Sequence, residues 1–168
     1  PMAGRGSRLR PQTLILPKPL IPIGGTPILH QLLKEVVKLI NEPIKEIVFI
    51  VGDPLIFGDK IIKELKDLAK KYNSKPLIYR QLTPLGTGHA IMCAKKSLRG
   101  KALVIYPDTL IRIKKRFNQK FDGVIWTKEV KSPESYGVVK LNSKNQILDL
   151  VEKPLKFVSN QAVIGIYY

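Results

Sequence analysis

The run Glu46-Ile-Val-Phe-Ile-Val-Gly52 constrains this chain more than any other segment. It is nearly continuous in β-branched and aromatic residues, which predicts a strand buried on both faces, the kind found in helix-covered parallel sheets. Helical periodicity on either side agrees. Ile28, Leu29, Leu32, Leu33, Val36, Leu39 and Ile40 recur at helical spacing, with Thr26 and Pro27 reading as N-cap and first helical residue. That helix is expected to end near Asn41–Pro43. Ile61, Ile62, Leu65, Leu68, Ala69 and Tyr72 form the apolar side of a second amphipathic helix.

The alternation continues with a short strand at Leu77-Ile-Tyr79, a helix from Gly88 to Leu98, and a buried strand at Ala102-Leu-Val-Ile-Tyr106 that ends in Pro107-Asp108. Strand alternating with helix predicts an α/β fold, a Rossmann-like three-layer sandwich around a mostly parallel mixed sheet. Ligands of such sheets bind beyond the carboxyl ends of the strands, where Asp108 falls. After Asp108 the pattern changes. Arg112–Lys120 is basic and poorly patterned, a loop or irregular helix. Asp122-Gly-Val-Ile-Trp-Thr127 reads as a strand with Trp126 in the core. Tyr136–Leu141 and Gln146–Val151 read as a hairpin around Asn142-Ser-Lys-Asn145, and Ala162–Tyr168 as a last strand.

The 168 residues suit one domain, 1–168, with a sizeable core. No apolar run approaches the roughly 20 residues of a membrane-spanning helix. A single cysteine, Cys93, forms no internal disulfide and fits a reducing cytoplasm, and two histidines without a Cys/His cluster exclude an ordinary zinc site. The net charge of +16, from 29 Lys+Arg against 13 Asp+Glu, suits a polyanion, either nucleic acid or free nucleotides. A Lys-rich solvated surface explains it more simply than a nucleic-acid role does. Few aromatics interleave the lysines as stacking platforms, which disfavours nucleic acid.

The opening residues Pro-Met-Ala-Gly-Arg-Gly-Ser-Arg8 describe a tight backbone turn, followed by Lys18 within Pro-Lys-Pro-Leu-Ile-Pro-Ile. Glycines let backbone N–H groups approach a ligand, an Arg forks onto phosphate oxygens, and a Lys adds a point charge. A triphosphate needs this equipment. The turn is not a Walker A loop, since G-x-x-x-x-G-K-[ST] is absent. Because such a turn ordinarily follows a strand, a short strand is expected before Pro1. The closing Ile-Gly-Ile-Tyr-Tyr168 reads as an unfinished strand, so the domain is expected to lack its first strand and its C-terminal part. Further clusters are Gln81…Leu85-Gly-Thr-Gly-His-Ala90, the isolated Asp108, Tyr136-Gly137, Glu152-Lys-Pro154 and Ser159-Asn-Gln-Ala162.

With these motifs in order over nearly all of its length, the chain strongly resembles the sugar-1-phosphate nucleotidyltransferases, or NDP-sugar pyrophosphorylases. The resemblance implies the nucleotide-diphospho-sugar transferase type of fold and the reaction of an NTP with a sugar 1-phosphate to give an NDP-sugar and pyrophosphate. No protein nucleophile is required, since the sugar phosphate oxygen attacks the α-phosphorus and catalysis is positioning plus charge stabilisation. The resemblance further implies roles for individual residues. Ala3, Gly4, Gly6 and Ser7 cradle the nucleotide, while Gln81, Gly86 and Thr87 belong to its base-reading turn. Arg8 holds the departing pyrophosphate, Lys18 the phosphates of the transition state, and Asp108 a Mg²⁺ ion. Gly137, Glu152 and Asn160 contact sugar hydroxyls, and Lys153 the sugar's phosphate. Two departures stand out. Pro107 occupies a position before the metal aspartate that is usually glycine, and the family's second metal-binding aspartate would lie beyond Tyr168.

Each residue also has a plainer reading. Arg8 and Lys18 alone would be solvated charges, Asp108 a cap, Glu152-Lys153 a surface ion pair. His89 either donates to a phosphate or hydrogen-bonds locally; His30 and Cys93 read as packing residues. Tyr136 either stacks on a sugar or plugs the sheet edge. The Leu85–Ala90 turn most resembles uridylyl enzymes, with thymidylyl and guanylyl relatives close behind, so UTP, dTTP and GTP are the candidate nucleotides. A catalytically silent, nucleotide-sugar-binding regulatory subunit is the alternative function, and homo-oligomerisation stays open.

Overall fold

Gly24 and Gly25, at φ 59° and 79°, turn the chain between two short antiparallel strands, β1 (Pro22–Ile23) and β2 (Thr26–Pro27), in a computed structural model that describes residues 1–4, 6–40, 42–112 and 121–168. Thr26 therefore pairs with Ile23 instead of capping a helix, and α1 spans Ile28–Leu39 with Pro27 at its N-cap. Gln31 ties the helix to this turn, its Nε2 donating to the Ile23 and Thr26 carbonyls at 2.7 and 2.8 Å.

The strand β3 (Glu46–Val51) runs parallel to β4 (Lys75–Arg80), with α2 (Asp59–Lys70) as the connection and register from Glu46↔Lys75 to Val51↔Arg80. The helix α3 (Thr87–Cys93) follows, shorter than expected, and Lys95–Ser97 continues as a 3₁₀ turn. Alternate residues of β3 serve two clusters. Ile47, Phe49 and Val51 join Met2, Leu20, Leu29, Phe57, Leu65, Leu68 and Ala69, whereas Ile50 packs with Ala90 and Ala94, backed by Val48, Tyr79 and Cys93. The strand is covered on both faces, as its unbroken apolar run predicts. Each large side chain buried this way stabilises the fold by about 1.5–3 kcal/mol, which is why the run cannot be left in water.

The remaining strands are β5 (Val104–Ile105), β6 (Ile125–Glu129), β7 (Gly137–Leu141), β8 (Ile147–Glu152) and β9 (Gln161–Tyr167). They form a sheet ordered β5-β9-β7-β8 with β6 also paired to β9, and every pairing is antiparallel. The Ala102–Tyr106 strand thus shrinks to two residues and runs opposite to its partner. Parallel pairing among the described residues is confined to β3–β4, so the sheets are mixed. The β7–β8 pair is a hairpin and therefore antiparallel, whereas β3 and β4 are joined by the crossover α2 and pair parallel. The β7–β8 hairpin turns on Asn142, whose Oδ1 accepts the backbone N–H groups of Lys144 and Gln146, both at 2.9 Å. Val138 and Val139 of β7 and Ala162 and Ile166 of β9 are the buried residues of this sheet. Trp126 is half-buried in β6. Of the basic Arg112–Lys120 segment, positions 113–120 lie outside the described residues, as does Asn41.

By contacts the chain divides into two compact units, Pro1–Ala102 with Tyr106–Gln119, and Leu103–Ile105 with Lys120–Tyr168. The candidate nucleotide residues belong to the first and the candidate sugar residues to the second.

Candidate functional site

The N-terminal turn is fastened to the carboxyl end of β3. Met2 donates its backbone N–H to the Ile50 carbonyl at 2.7 Å. A Cβ on the buried Gly52 would stand 2.6 Å from the Ala3 carbonyl oxygen, so glycine alone lets the two backbones approach this closely. Gly6 then turns the chain at φ 60°, and its carbonyl accepts the Thr13 hydroxyl at 2.8 Å. A Cβ at Gly6 would meet Thr13 Cγ2 at 2.9 Å and Lys18 Cβ at 3.3 Å, so the turn closes directly over Lys18. Ser7 and Arg8 lie on an exposed 3₁₀ turn, Ser7–Leu9, where Arg8 has no ion-pair partner among the described residues.

Lys18 begins another 3₁₀ turn between Pro17 and Pro19, both buried, so the backbone carrying it is anchored on either side. Its Nζ lies 3.8 Å from Asp108 Oδ2. The side chains are 35% and 54% exposed, and an ion pair that wet contributes about 0–1 kcal/mol. The pair is too weak to be structural, and a polyphosphate could separate it at little cost. Asp108 Oδ1 also accepts the Thr109 hydroxyl at 3.3 Å, while Pro107 beside it is buried. Among the described residues no group of three or more His, Cys, Asp or Glu gathers to hold a metal. A single exposed carboxylate fits Mg²⁺, which keeps several waters and takes phosphates as further ligands.

Gln81 extends β4 past its last residue, its N–H bonded to the Val51 carbonyl at 2.8 Å. Its Nε2 lies 2.9 Å from the Gly86 carbonyl and 3.0 Å from His89 Nδ1, and the residue is buried. Gly86 takes φ 97° before α3, whose first residue, Thr87, hydrogen-bonds with the Tyr106 hydroxyl. Burial raises the Tyr106 phenol above its ordinary pKa, and this hydrogen bond opposes the shift. Tyr106 thereby joins the Gly86–Thr87 turn to the segment bearing Asp108.

Arg80 was not expected as a functional residue. Its Nη1 donates to the Gly52 carbonyl at 3.1 Å and its Nη2 to the Phe57 carbonyl at 3.2 Å, bracing the loop after β3 against which Ala3 packs. Backbone carbonyls more than 20 residues away leave no sequence pattern by which to find it.

In the second unit Gly137 pairs with Glu152 across β7–β8, and a Cβ on Gly137 would sit 2.7 Å from Glu152 Oε2. Lys153, at φ 46°, donates its backbone N–H to the Tyr136 carbonyl at 3.0 Å. Gly137, Glu152 and Lys153 therefore share one end of the hairpin. Asn160 is held elsewhere, its Nδ2 donating to Glu129 Oε1 at 2.7 Å. It lines an open cleft of about 520 Å³ with Lys131, Glu134, Lys156 and Phe157, a cleft that Gly137, Glu152 and Lys153 do not line.

In the first unit Ala3 and Gln81 thus meet the end of β3, and Gly6, Lys18 and Asp108 follow one another in contact from the same N-terminal turn. His30 and Cys93 are half-buried; His30 Nε2 lies 3.5 Å from Glu64 Oε1 between α1 and α2, and Cys93 packs beside Ile50.

The nucleotidyl transferase family profile matches residues 2–168. The bifunctional protein GlmU of Methanococcus maripaludis is 35% identical over 167 residues, covering 98% of this chain and 38% of its own length. The mannose-1-phosphate guanylyltransferase catalytic subunit beta of Drosophila melanogaster is 32% identical over 176 residues, covering 99% of this chain and 46% of its own. The crystal structure of a UDP-glucose pyrophosphorylase complexed with UDP-glucose superposes with a TM-score of 0.80 at 25% identity, covering 99% of this chain and 73% of that one. The chain thus spans less than half the length of these curated relatives. No described helix is long and apolar enough to cross a membrane. With the matched profile running through the N-terminal turn, Lys18, Asp108 and the β7–β8 hairpin alike, this chain belongs to the nucleotidyl transferase family.

Proposed function

We propose that the protein transfers a nucleotidyl group from an NTP to a sugar 1-phosphate. A phosphate oxygen of the sugar 1-phosphate attacks the α-phosphorus, the bond from that phosphorus to the bridging oxygen breaks, and pyrophosphate leaves. The observation that carries this reading is the approach of Lys18 Nζ to Asp108 Oδ2, 3.8 Å apart, beneath the turn closed by Gly6. A cation and a carboxylate in weak, wet contact are suited to a polyphosphate accompanied by a divalent ion.

In this reading Ala3, Gly4, Gly6 and Ser7 present backbone groups to the nucleotide, Gln81, Gly86 and Thr87 read its base, and Arg8 meets the pyrophosphate. Lys18 stabilises the charge that develops on the transferred phosphate. Asp108 would hold Mg²⁺, which when bound neutralises phosphate charge. Gly137, Glu152 and Asn160 contact sugar hydroxyls, and Lys153 the sugar's phosphate. UTP, dTTP or GTP is the nucleotide, and a reducing cytoplasm the compartment, consistent with the lone, half-buried Cys93.

Pyrophosphate release from each NTP paired with a panel of sugar 1-phosphates tests the reading. Release with one pair, abolished by chelating Mg²⁺, supports it; nucleotide binding without release from any pair would instead make the protein a silent binding subunit.

A further inference from the structure

The carboxamide of Gln81 has a defined orientation, and the reason is chemical. A carbonyl oxygen can only accept, so the amide atom 2.9 Å from Gly86 O must be the NH₂ group. An amide NH₂ can only donate, so His89 Nδ1, 3.0 Å from the same nitrogen, must accept. A neutral imidazole accepting at Nδ1 carries its proton on Nε2. Both amide protons are thus committed within the protein, on a residue only 8% exposed. The polar atom left to a ligand is Oε1, an acceptor.

We propose that His89 is a positioning residue for nucleotide selection: by accepting from Gln81 Nε2 it locks the carboxamide with its acceptor available to the base. This rests on the nucleotide reading above and sharpens it. Uracil, thymine and guanine carry a ring N–H that an acceptor can satisfy, whereas cytosine and adenine offer a ring nitrogen that itself accepts. Two acceptors face to face leave both unpaired, which is how a hydrogen-bonding site rejects the wrong ligand. Without His89 the amide retains one anchor, Gly86, and turning it to present NH₂ to cytosine costs one hydrogen bond less. The discrimination against CTP should then weaken by roughly three- to tenfold, the equilibrium value of one net hydrogen bond.

The first test is ¹⁵N NMR of the His89 ring in the ligand-free protein at neutral pH. A proton on Nε2 with Nδ1 bare is expected; a proton on Nδ1 overturns the proposal. The second is equilibrium binding of UTP, dTTP, GTP, CTP and ATP to the protein, to His89→Leu and to His89→Asn, whose Oδ1 can take the place of Nδ1. The Leu variant should lose discrimination and the Asn variant recover it. Full discrimination in the Leu variant, or equal loss in both, overturns the proposal, and if the Leu variant fails to fold the ring tautomer and the Asn variant still decide. A protein that binds none of the five refutes the nucleotide reading and this selection with it. An Nδ1 proton in a protein that does bind nucleotide refutes the role of His89 alone.

Discussion

Gly6→Ala should unfold the N-terminal turn from Lys18, and the cost divides into two separable parts. The first is backbone: at φ 60° an alanine sits in the left-handed region, at about 1–2 kcal/mol. The second is steric. The new Cβ would stand 2.9 Å from Thr13 Cγ2, well inside the ~3.5–4.0 Å optimum for carbon pairs. Thr13 cannot swing its methyl away freely, because its χ1 is stiff and its hydroxyl is held by the Gly6 carbonyl at 2.8 Å. Overpacking of this kind costs about 1–3 kcal/mol, so Gly6→Ala should destabilise the first unit by roughly 2–5 kcal/mol. Thr13→Ser removes the offending methyl and keeps the hydroxyl; alone it should cost about 1 kcal/mol, since one buried methyl is lost. In the double variant the clash with Thr13 Cγ2 disappears and only the milder 3.3 Å approach to Lys18 Cβ remains, leaving roughly 2–3 kcal/mol in all. Denaturant unfolding of the four proteins measures the coupling between the sites. A coupling energy of about 1–3 kcal/mol is expected, and additivity within ~0.5 kcal/mol would refute the claim that the glycine makes room for Thr13.

Asp108→Asn should lower turnover by about a hundredfold or more while leaving the melting temperature unchanged, because its carboxylate is exposed and its ion pair wet; a steady-state assay over a Mg²⁺ titration, beside a thermal melt, checks both. Arg80→Met removes two half-buried hydrogen bonds to the Gly52–Phe57 loop and should destabilise by about 1–3 kcal/mol, with faster amide exchange at Ile56 and Phe57 as the local signature. Gly137→Ala should be nearly neutral for stability, within ~1 kcal/mol, since the Glu152 carboxylate it meets at 2.7 Å is the end of a flexible side chain; KM for the sugar 1-phosphate should rise with kcat little changed if that carboxylate reads the sugar.

How far the sequence reveals this architecture depends on the range of the forces involved. β3 and α2 were legible because a buried run and a helical stripe each report burial directly. The start of α1 was not, because Thr-Pro fits a helix cap and a strand end equally well, and the Gly24-Gly25 turn decided for the strand. The antiparallel partner of β5 was hidden too: pairing direction is set by β9, more than 50 residues later. Within the candidate site, residue types and motif order were legible by resemblance. The approach of Lys18 to Asp108 and the grip of Arg80 on two distant carbonyls needed coordinates. The Gln81–His89 contact spans only eight positions, yet nothing in the letters says which nitrogen of the ring accepts.

Gly6 and Gly52 differ in a way that bears on how this chain could change over time. The neighbours crowding Gly6 are side chains, so a second substitution can relieve them. At Gly52 the obstructing atoms belong to the main chain of Ala3, and no replacement of residue 3 can move them aside. One position is negotiable in pairs and the other is not. Drift in the N-terminal turn is therefore free to explore new side chains at its tip, while the hydrogen atom at Gly52 acts as a fixed datum from which the whole turn is measured.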